Sequence, residues 1–255
     1  MYRILYCLLF VFTLIFASCE DKESSVKKEP KEISEKAKKA QRSRDSLQRV
    51  QDSILKARKE SARENAKIRN NPDFPLAQEE LIPYLTKYGA ENPETRVRIT
   101  TRYGEIDVLL YRDTPLHRAN FIMLVKNGYF NETFFHRVAP GFVIQGGNSD
   151  NPSTSSKRNK VGSYLIPSEF EAGHRHSRGA FSAAKFAEQN VSKASSPFEF
   201  FIVLDTNTSA HLNNDHTVFG RVIKGMDVVD KISEAKTGQS EWPVSNIQME
   251  IEVIE

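Results

Sequence analysis

Cysteine is nearly absent from this chain. Its 255 residues hold two, Cys7 and Cys19, both close to the N-terminus. Everything beyond them is excluded from disulfide frameworks, thiol nucleophiles and cysteine zinc sites. Long apolar runs are also missing. The one candidate, about Ile4 to Ala17, falls short of the roughly 20 residues that a membrane-spanning helix needs. Large apolar residues are scarce between positions 20 and 72, so that stretch has little with which to build a core. A strong net charge is missing as well, since the formal total is +3. Positions 20–72 carry 16 Lys/Arg against 10 Asp/Glu, and positions 73–255 carry 19 against 23, with Arg3 making up the rest. The larger part is mildly acidic and has no basic stripe, which argues against nucleic-acid binding. Of the six histidines (117, 136, 174, 176, 211 and 216), the "HRH" at 174–176 has no carboxylate or cysteine at a standard ligand spacing, and HExxH does not occur. The "HRH" at 174–176 therefore reads as a solvated loop, and neither a metal nor a cofactor is expected.

The N-terminus is what a short apolar run with one early cation suggests. "MYRILYCLLFVFTLIFASC" has Arg3, then the apolar stretch, then small residues directly before Cys19. This resembles a bacterial lipoprotein signal, with residues 1–18 removed and Cys19 lipidated; an ordinary signal peptide or an uncleaved anchor are the alternatives. The location this implies is the bacterial cell envelope, held by a lipid anchor. Residues 19–72 follow as a charged spacer, helical or disordered. Within it Leu47, Val50, Ile54 and Ala57 have the 3-4-3 spacing of a short coiled-coil seam.

Residues 73–94 read as a short helical lead-in, with Leu81, Leu85 and Tyr88 along one side and Gly89 as the stop. From residue 95 to 255 the pattern changes. "RVRITT" and "EIDVLLY" alternate with period 2 on either side of "RYG", a hairpin signature. "DTPLHRANFIMLVKNGYF" reads as a helix capped by Thr114, with Pro115 in its first turn and Gly128 at its stop. "TFFHRV", "FVIQG", "GAFSAA", "EFFIVL", "TVFGRVI" and "IQMEIEVIE" bring the strands to eight, and "GMDVVDKI" is a second helix. Asn148 to Arg178 reads as a polar loop. The expected class is mainly β: a closed eight-stranded antiparallel barrel capped by two helices, with the charged extension before it. Pattern alone leaves a sandwich open.

One segment, "FFHRVAPGFVIQGG" (134–147), is unlike a core hairpin. It sets a His-Arg pair between aromatics, then a Pro-Gly turn, an apolar run and two glycines. A groove that must be apolar and yet contain one fixed cation would use all of these. The segment resembles the signature of cyclophilin-type peptidyl-prolyl cis-trans isomerases. So do "YGEIDVLLYRDTPLHRANFIMLVKNGYFNETFFHRV", "IPSEFEAGHRHSRGAFSAA", "FEFFIV" and "HLNNDHTVFGRVIKGMDVVDKI", in the family's order across about Val97 to Glu255. The resemblance implies the closed barrel, an isomerase of Xaa-Pro bonds, proline-containing polypeptides as partners and a monomeric domain. It places the catalytic arginine on Arg137 and the neighbouring groove histidine on His136. The proline pocket falls on Phe142, Val143, Phe201, Leu212 and His216, with Gln145 beside it. Ala184 falls where the backbone holds the substrate strand, and Glu199 falls where a glutamine usually lines the groove.

The chain departs from the family pattern at several of these positions. Val143 stands for methionine, Glu199 for glutamine and His211 for a tryptophan found in some members; Lys185 and Phe186 replace smaller or neutral residues. These departures bear on substrate preference, rate and cyclosporin sensitivity. They also motivate a second reading from another class, a catalytically weak proline-binding or scaffold module of the envelope. A third places a function in the basic spacer, as an adaptor to envelope polymers or to a partner coiled coil. "NNDH" at 213–216 reads as a turn and pocket rim, since a catalytic Asp-His pair would need a nucleophile that the sequence does not supply.

Overall fold

A computed structural model describes residues 71–186, 191–238 and 240–254, with scattered positions from 38 to 70. The signal, Cys19 and the seam Leu47, Val50, Ile54 and Ala57 lie outside the described residues. Described positions between Lys38 and Ser53 are helical and exposed. Two amides there reach carboxylates one turn on, Gln41 to Asp45 at 2.9 Å and Gln48 to Asp52 at 3.0 Å. Among the described residues no helix is long and apolar enough to cross a membrane.

Eight strands close into an antiparallel barrel: β1 (Arg96–Thr101), β2 (Gly104–Leu110), β3 (Phe134–Ala139), β4 (Val143–Asn148), β5 (Ala180–Ala183), β6 (Phe200–Val203), β7 (Val218–Lys224) and β8 (Ile247–Val253). Their order around the barrel is β1-β2-β7-β5-β6-β4-β3-β8, which settles the sandwich alternative. Strand β8 alternates buried and exposed along its length, as a strand with one wet face does, whereas every residue of β5 and β6 is buried. On that side the barrel is covered on both faces. The glycine pair explains part of this crowding: a Cβ on Gly146 would sit 2.7 Å from Met249 Cε, and one on Gly147 would sit 2.1 Å from the Phe198 carbonyl oxygen.

Helices α1 (Leu81–Glu91), α2 (Pro115–Lys126), α3 (Pro152–Val161), the single turn α4 (Thr206–Ser209) and α5 (Met226–Ser233) complete the described elements, with short 3-10 turns between them. The two expected capping helices are α2 and α5. Phe121 of α2 enters the barrel among Phe130, Phe181, Phe200 and Phe219, with ring centroids 4.7–5.7 Å away.

Four local expectations need correction. Thr114 makes no side-chain cap on α2, because its hydroxyl donates back to the Tyr111 carbonyl; instead the Glu169 carboxylate, 52 residues away, accepts from the amides of Leu116 and His117 at 3.0 Å each. Gly89 does not stop α1: it lies within the helix, buried, where its carbonyl accepts from Arg118 Nη2 at 2.8 Å. The stretch Asn148–Arg178 is not all loop, since it contains α3. The buried residues of α3 are Thr154, Lys157 and Val161, one apolar and two polar, so hydrophobic periodicity has almost nothing to report there. What holds α3 is polar: Lys157 Nζ donates to the Asn131 carbonyl at 3.0 Å and Arg158 Nε to the Tyr129 hydroxyl at 2.9 Å. Finally, "HRH" is only half solvated. His174 is on the surface, stacked on Tyr111 and bonded to Asp113 at 2.9 Å, but His176 is buried against Phe201.

Candidate active site

Cross-strand pairing sets out the site. Arg137 on β3 pairs with Gln145 on β4, Gln145 with Phe201 on β6, and Phe201 with Ser182 on β5. Paired residues share a face, so these four form one row on the outside of the barrel. Next to it Phe135, Gly146, Phe200 and Ala183 form the corresponding interior row. Phe135 and Arg137 are two apart and would share a face in a regular strand. A bulge separates them: Phe135 faces Gly146 and Arg137 faces the very next residue, Gln145, with His136 left over between them. The extra residue turns Arg137 outward while Phe135 stays in the core.

The row opens into a groove of about 340 Å³ lined by Arg137, Phe142, Val143, Gln145, Ala184, Lys185, Phe201, His211, Leu212 and His216. The structure thus gathers eight of the ten residues assigned to the site from sequence: Arg137, Phe142, Val143, Gln145, Ala184, Phe201, Leu212 and His216. Ala184 already has both backbone groups engaged, its N–H to the Glu199 carbonyl and its carbonyl from the Ser196 N–H. His136 and Glu199 are not among the lining residues; both side chains are largely covered, beside Gln145. Glu199 accepts from Gln145 Nε2 and from Arg158 Nη2, both at 2.9 Å, and His136 Nε2 stands 3.5 Å from it. Burial alone would raise the Glu199 pKa, but His136 and Arg158 outweigh that and hold it down at about 2. Its charge is therefore answered from α3 and from His136.

Arg137 has a different carboxylate. Its Nε donates to Glu241 Oε2 at 2.6 Å, and its Cζ lies 5.9 Å from the Phe142 ring centroid. Both partners of this pair are more than a third exposed, at 36% and 45%. Such a pair contributes at most about 1 kcal/mol to stability. At the far end of the groove Lys185 Nζ is 2.8 Å from Asp215 Oδ1, an ion pair whose lysine side chain is almost wholly buried. Burial, then the nearby Lys185 charge, push the His216 pKa down to about 4, so its imidazole is neutral at neutral pH. His176 is pushed down too, first by burial. Arg158 and Glu241 were not found by sequence reasoning; Asp215 was read as part of a pocket rim but not as the partner of Lys185, and His176 only as part of a solvated loop. Arg137 and Glu241 are 104 positions apart, and no local pattern marks either as the other's partner.

A second constellation has hydrolase-like spacing: His117 Nδ1 is 2.6 Å from Glu169 Oε2 and His117 Nε2 is 2.9 Å from Ser195 Oγ. Ser195 is fully buried and its backbone is locked in a bridge to Ile166, so no substrate carbonyl can reach it. It joins the start of α2 to the body of the domain. Among the described residues no three His, Cys, Asp or Glu side chains converge as a metal site.

Comparison with known proteins bears on the family of the chain. The family model described as cyclophilin type peptidyl-prolyl cis-trans isomerase/CLD matches residues 96–253. The chain is 36% identical over 162 residues to peptidyl-prolyl cis-trans isomerase A of Dickeya dadantii, covering 62% of this chain and 80% of that protein. It is 38% identical over 146 residues to a peptidyl-prolyl cis-trans isomerase of Acinetobacter baylyi, covering 56% and 74%. Among solved structures it resembles a Cryptosporidium parvum cyclophilin type peptidyl-prolyl cis-trans isomerase crystallised in the presence of the dipeptide Ala-Pro. That likeness has a TM-score of 0.54 and 26% identity, and spans 63% of this chain and 99% of that one.

Proposed function

The chain belongs to the cyclophilin-type peptidyl-prolyl cis-trans isomerases, and we propose that it turns Xaa-Pro bonds of exported or envelope proteins, with Arg137 stabilising the twisted amide. Amide resonance sets a barrier of about 18–20 kcal/mol to this rotation. Uncatalysed, an Xaa-Pro bond relaxes over tens to hundreds of seconds. No bond is broken, so the catalyst needs no nucleophile. It must bind the twisted amide better than either planar form. On twisting, the prolyl nitrogen becomes pyramidal and regains a lone pair. A guanidinium donor aimed at that nitrogen acts on the twisted state alone, and it is charged at every working pH. Phe142, Val143, Phe201 and Leu212 would hold the pyrrolidine ring while the acyl side turns, and a ring bound there would displace water that screens Arg137.

The observation that carries this reading is the row itself: a bulge delivers Arg137 to a groove on the outer wall that is lined in part by Phe142, Val143, Phe201 and Leu212. The charges that motivated a scaffold reading are compensated locally, Glu199 by Arg158 and His136 and Lys185 by Asp215. Catalysed cis-trans exchange of a proline peptide tests the mechanism. Arg137→Ala is expected to lower the rate about 10²–10³-fold, the effect of losing one preorganised donor. An alanine variant as fast as the wild type would overturn it.

The envelope location rests on the sequence around Cys19. The full chain is expected in the membrane fraction with lipid attached, and Cys19→Ala in the soluble fraction. Equal partitioning of the two would remove the anchor from the proposal.

A further inference from the structure

Arg137 can favour a twisted amide only if its guanidinium is held still before substrate arrives. Its stem leaves β3 at a bulge, beside open groove, and more than a third of the side chain is in water. A long side chain in that position is ordinarily free to change rotamer. Here two contacts restrain it: the Phe142 ring under Cζ and the Glu241 carboxylate on Nε. We infer that Glu241 is a positioning residue for the isomerisation, fixing the plane of the Arg137 guanidinium so that its two terminal nitrogens stay turned to the groove. The inference rests on the mechanism proposed above.

The placement of Glu241 is built rather than incidental. The residue has φ +58, a left-handed conformation that a non-glycine residue adopts at a cost. The surrounding backbone imposes it. The Glu241 carbonyl accepts from the Val138 N–H at 2.8 Å, directly after Arg137. Residues 236–244, of which 239 lies outside the described set, form a tight loop. Gly238 N–H donates to the Trp242 carbonyl at 2.8 Å, Val244 N–H to the Lys236 carbonyl at 2.9 Å, and Thr237 bridges Pro243. The Trp242 ring stands 5.7 Å from that of His136, so the loop grips both residues of the His-Arg pair. An exposed ion pair adds little to stability, so the Glu241 carboxylate is not needed for the loop to hold its shape. Binding through Nε also suits the task, because it occupies the one nitrogen nearest the stem and leaves the terminal pair free among the described residues.

The test compares the full chain with Glu241→Ala, Glu241→Gln and Glu241→Gly in two readouts. In catalysed exchange, alanine and glycine are expected to lower kcat about tenfold with KM changed less than twofold, since the lost contact serves the twisted state. Glutamine keeps an acceptor for Nε and is expected to recover most of the rate. By nuclear magnetic resonance, the Arg137 Nε–Hε signal is expected to be resolved and slow to exchange in the wild type. In the alanine and glycine variants it should merge with those of solvated arginines. Glycine accepts the left-handed backbone without strain, so that variant separates loss of the carboxylate from loss of the loop. A glycine variant with wild-type kcat, a loss confined to KM, or an Nε–Hε signal indifferent to residue 241 would each overturn the inference. The resonance does not depend on catalysis. If Arg137→Ala retains activity while the resonance still follows residue 241, the mechanism fails and the contact stands.

Discussion

Phe200 and Phe201 are neighbours on one strand and belong to two different structures. Phe200 faces the barrel interior, where its ring lies 4.6 Å from Phe181 and within 6.1 Å of Phe121, Phe130 and Phe135. Phe201 faces out, with His176 stacked at 5.7 Å and His216 edge-on at 5.5 Å. The same division runs through the adjoining strands: Ile144 and Phe219 point in, Val143 and Val218 point out. The interior needs only apolar volume of the right size. The outer wall needs apolar volume together with charges, and each charge there is held by a residue distant in sequence. A strand buried on both faces can thus carry a core on one side and an active groove on the other.

Removing an interior ring should have the largest effect. Phe200→Ala is expected to cost about 3–5 kcal/mol, because a closed aromatic cluster cannot collapse around the cavity. Chemical denaturation reads this directly. A loss under 2 kcal/mol would mean that the interior is loosely packed and the contrast between the two faces is false.

The charged side chains beside Gln145 should respond to acid. The Glu199 carboxyl is held at about 2 rather than its ordinary 4.5. The folded state therefore binds that proton less readily than the unfolded chain. The stabilisation is complete above pH 4.5 and is lost as pH falls toward 2. At about 1.36 kcal/mol per pH unit it amounts to about 3 kcal/mol. His216, depressed from 6.5 to about 4, adds a loss of the same sign between those two values. Denaturant midpoints measured from pH 7 to pH 2 should fall in both windows, and Glu199→Gln should flatten only the lower one. An unchanged slope in that variant would show that Arg158 and His136 do not hold the charge as drawn.

Phe201→Ala should separate stability from activity. The ring is largely covered, but it borders an open groove that water can fill, so about 2 kcal/mol is expected, less than for its neighbour. Isomerisation should drop with it, because the proline ring loses a wall. Equal stability losses for the two phenylalanines would break the comparison outright. A rate untouched by the change would move the pocket elsewhere.

Legibility from sequence follows the same division. All eight strands were visible as short apolar runs, and in a strand with one wet face such as β8 the interior residues follow from the period. Gly128 and Pro115 bracket α2 as their backbone preferences require. The outer wall was visible only through resemblance to a family, since Phe201 and Phe200 look alike in a string of letters. The bulge at His136 was not visible, although it alone decides which way Arg137 points. Glu241, Arg158 and Asp215 were not visible as partners because an ion pair leaves no periodicity. Helix α3 escaped for a related reason: it is anchored by Lys157 and Arg158, and a hydrophobic pattern does not see them.

The smallest expected effect tests whether packing remote from the groove stays silent in catalysis. Gly89→Ala in α1 has two opposed consequences. Alanine is favoured over glycine in a helix by about 1 kcal/mol. Its Cβ, however, would meet Ala119 Cβ at 3.1 Å and Arg118 Nη2 at 3.2 Å, closer than ordinary contact. The sign depends on whether those atoms can yield. Ala119 Cβ has no rotamer to change. The Arg118 guanidinium is tied to the carbonyls of Gly89 and Asn92 at 2.8 Å and of Glu94 at 3.2 Å, so it cannot swing away without losing them. The clash should outweigh the propensity, for a net loss below about 1 kcal/mol and a Tm lower by roughly 2–4 °C at most. Isomerase activity should not change, since α1 contributes no residue to the groove. A Tm that rises instead would show that α1 and α2 can move apart, and that Arg118 is a looser clamp than its three bonds suggest.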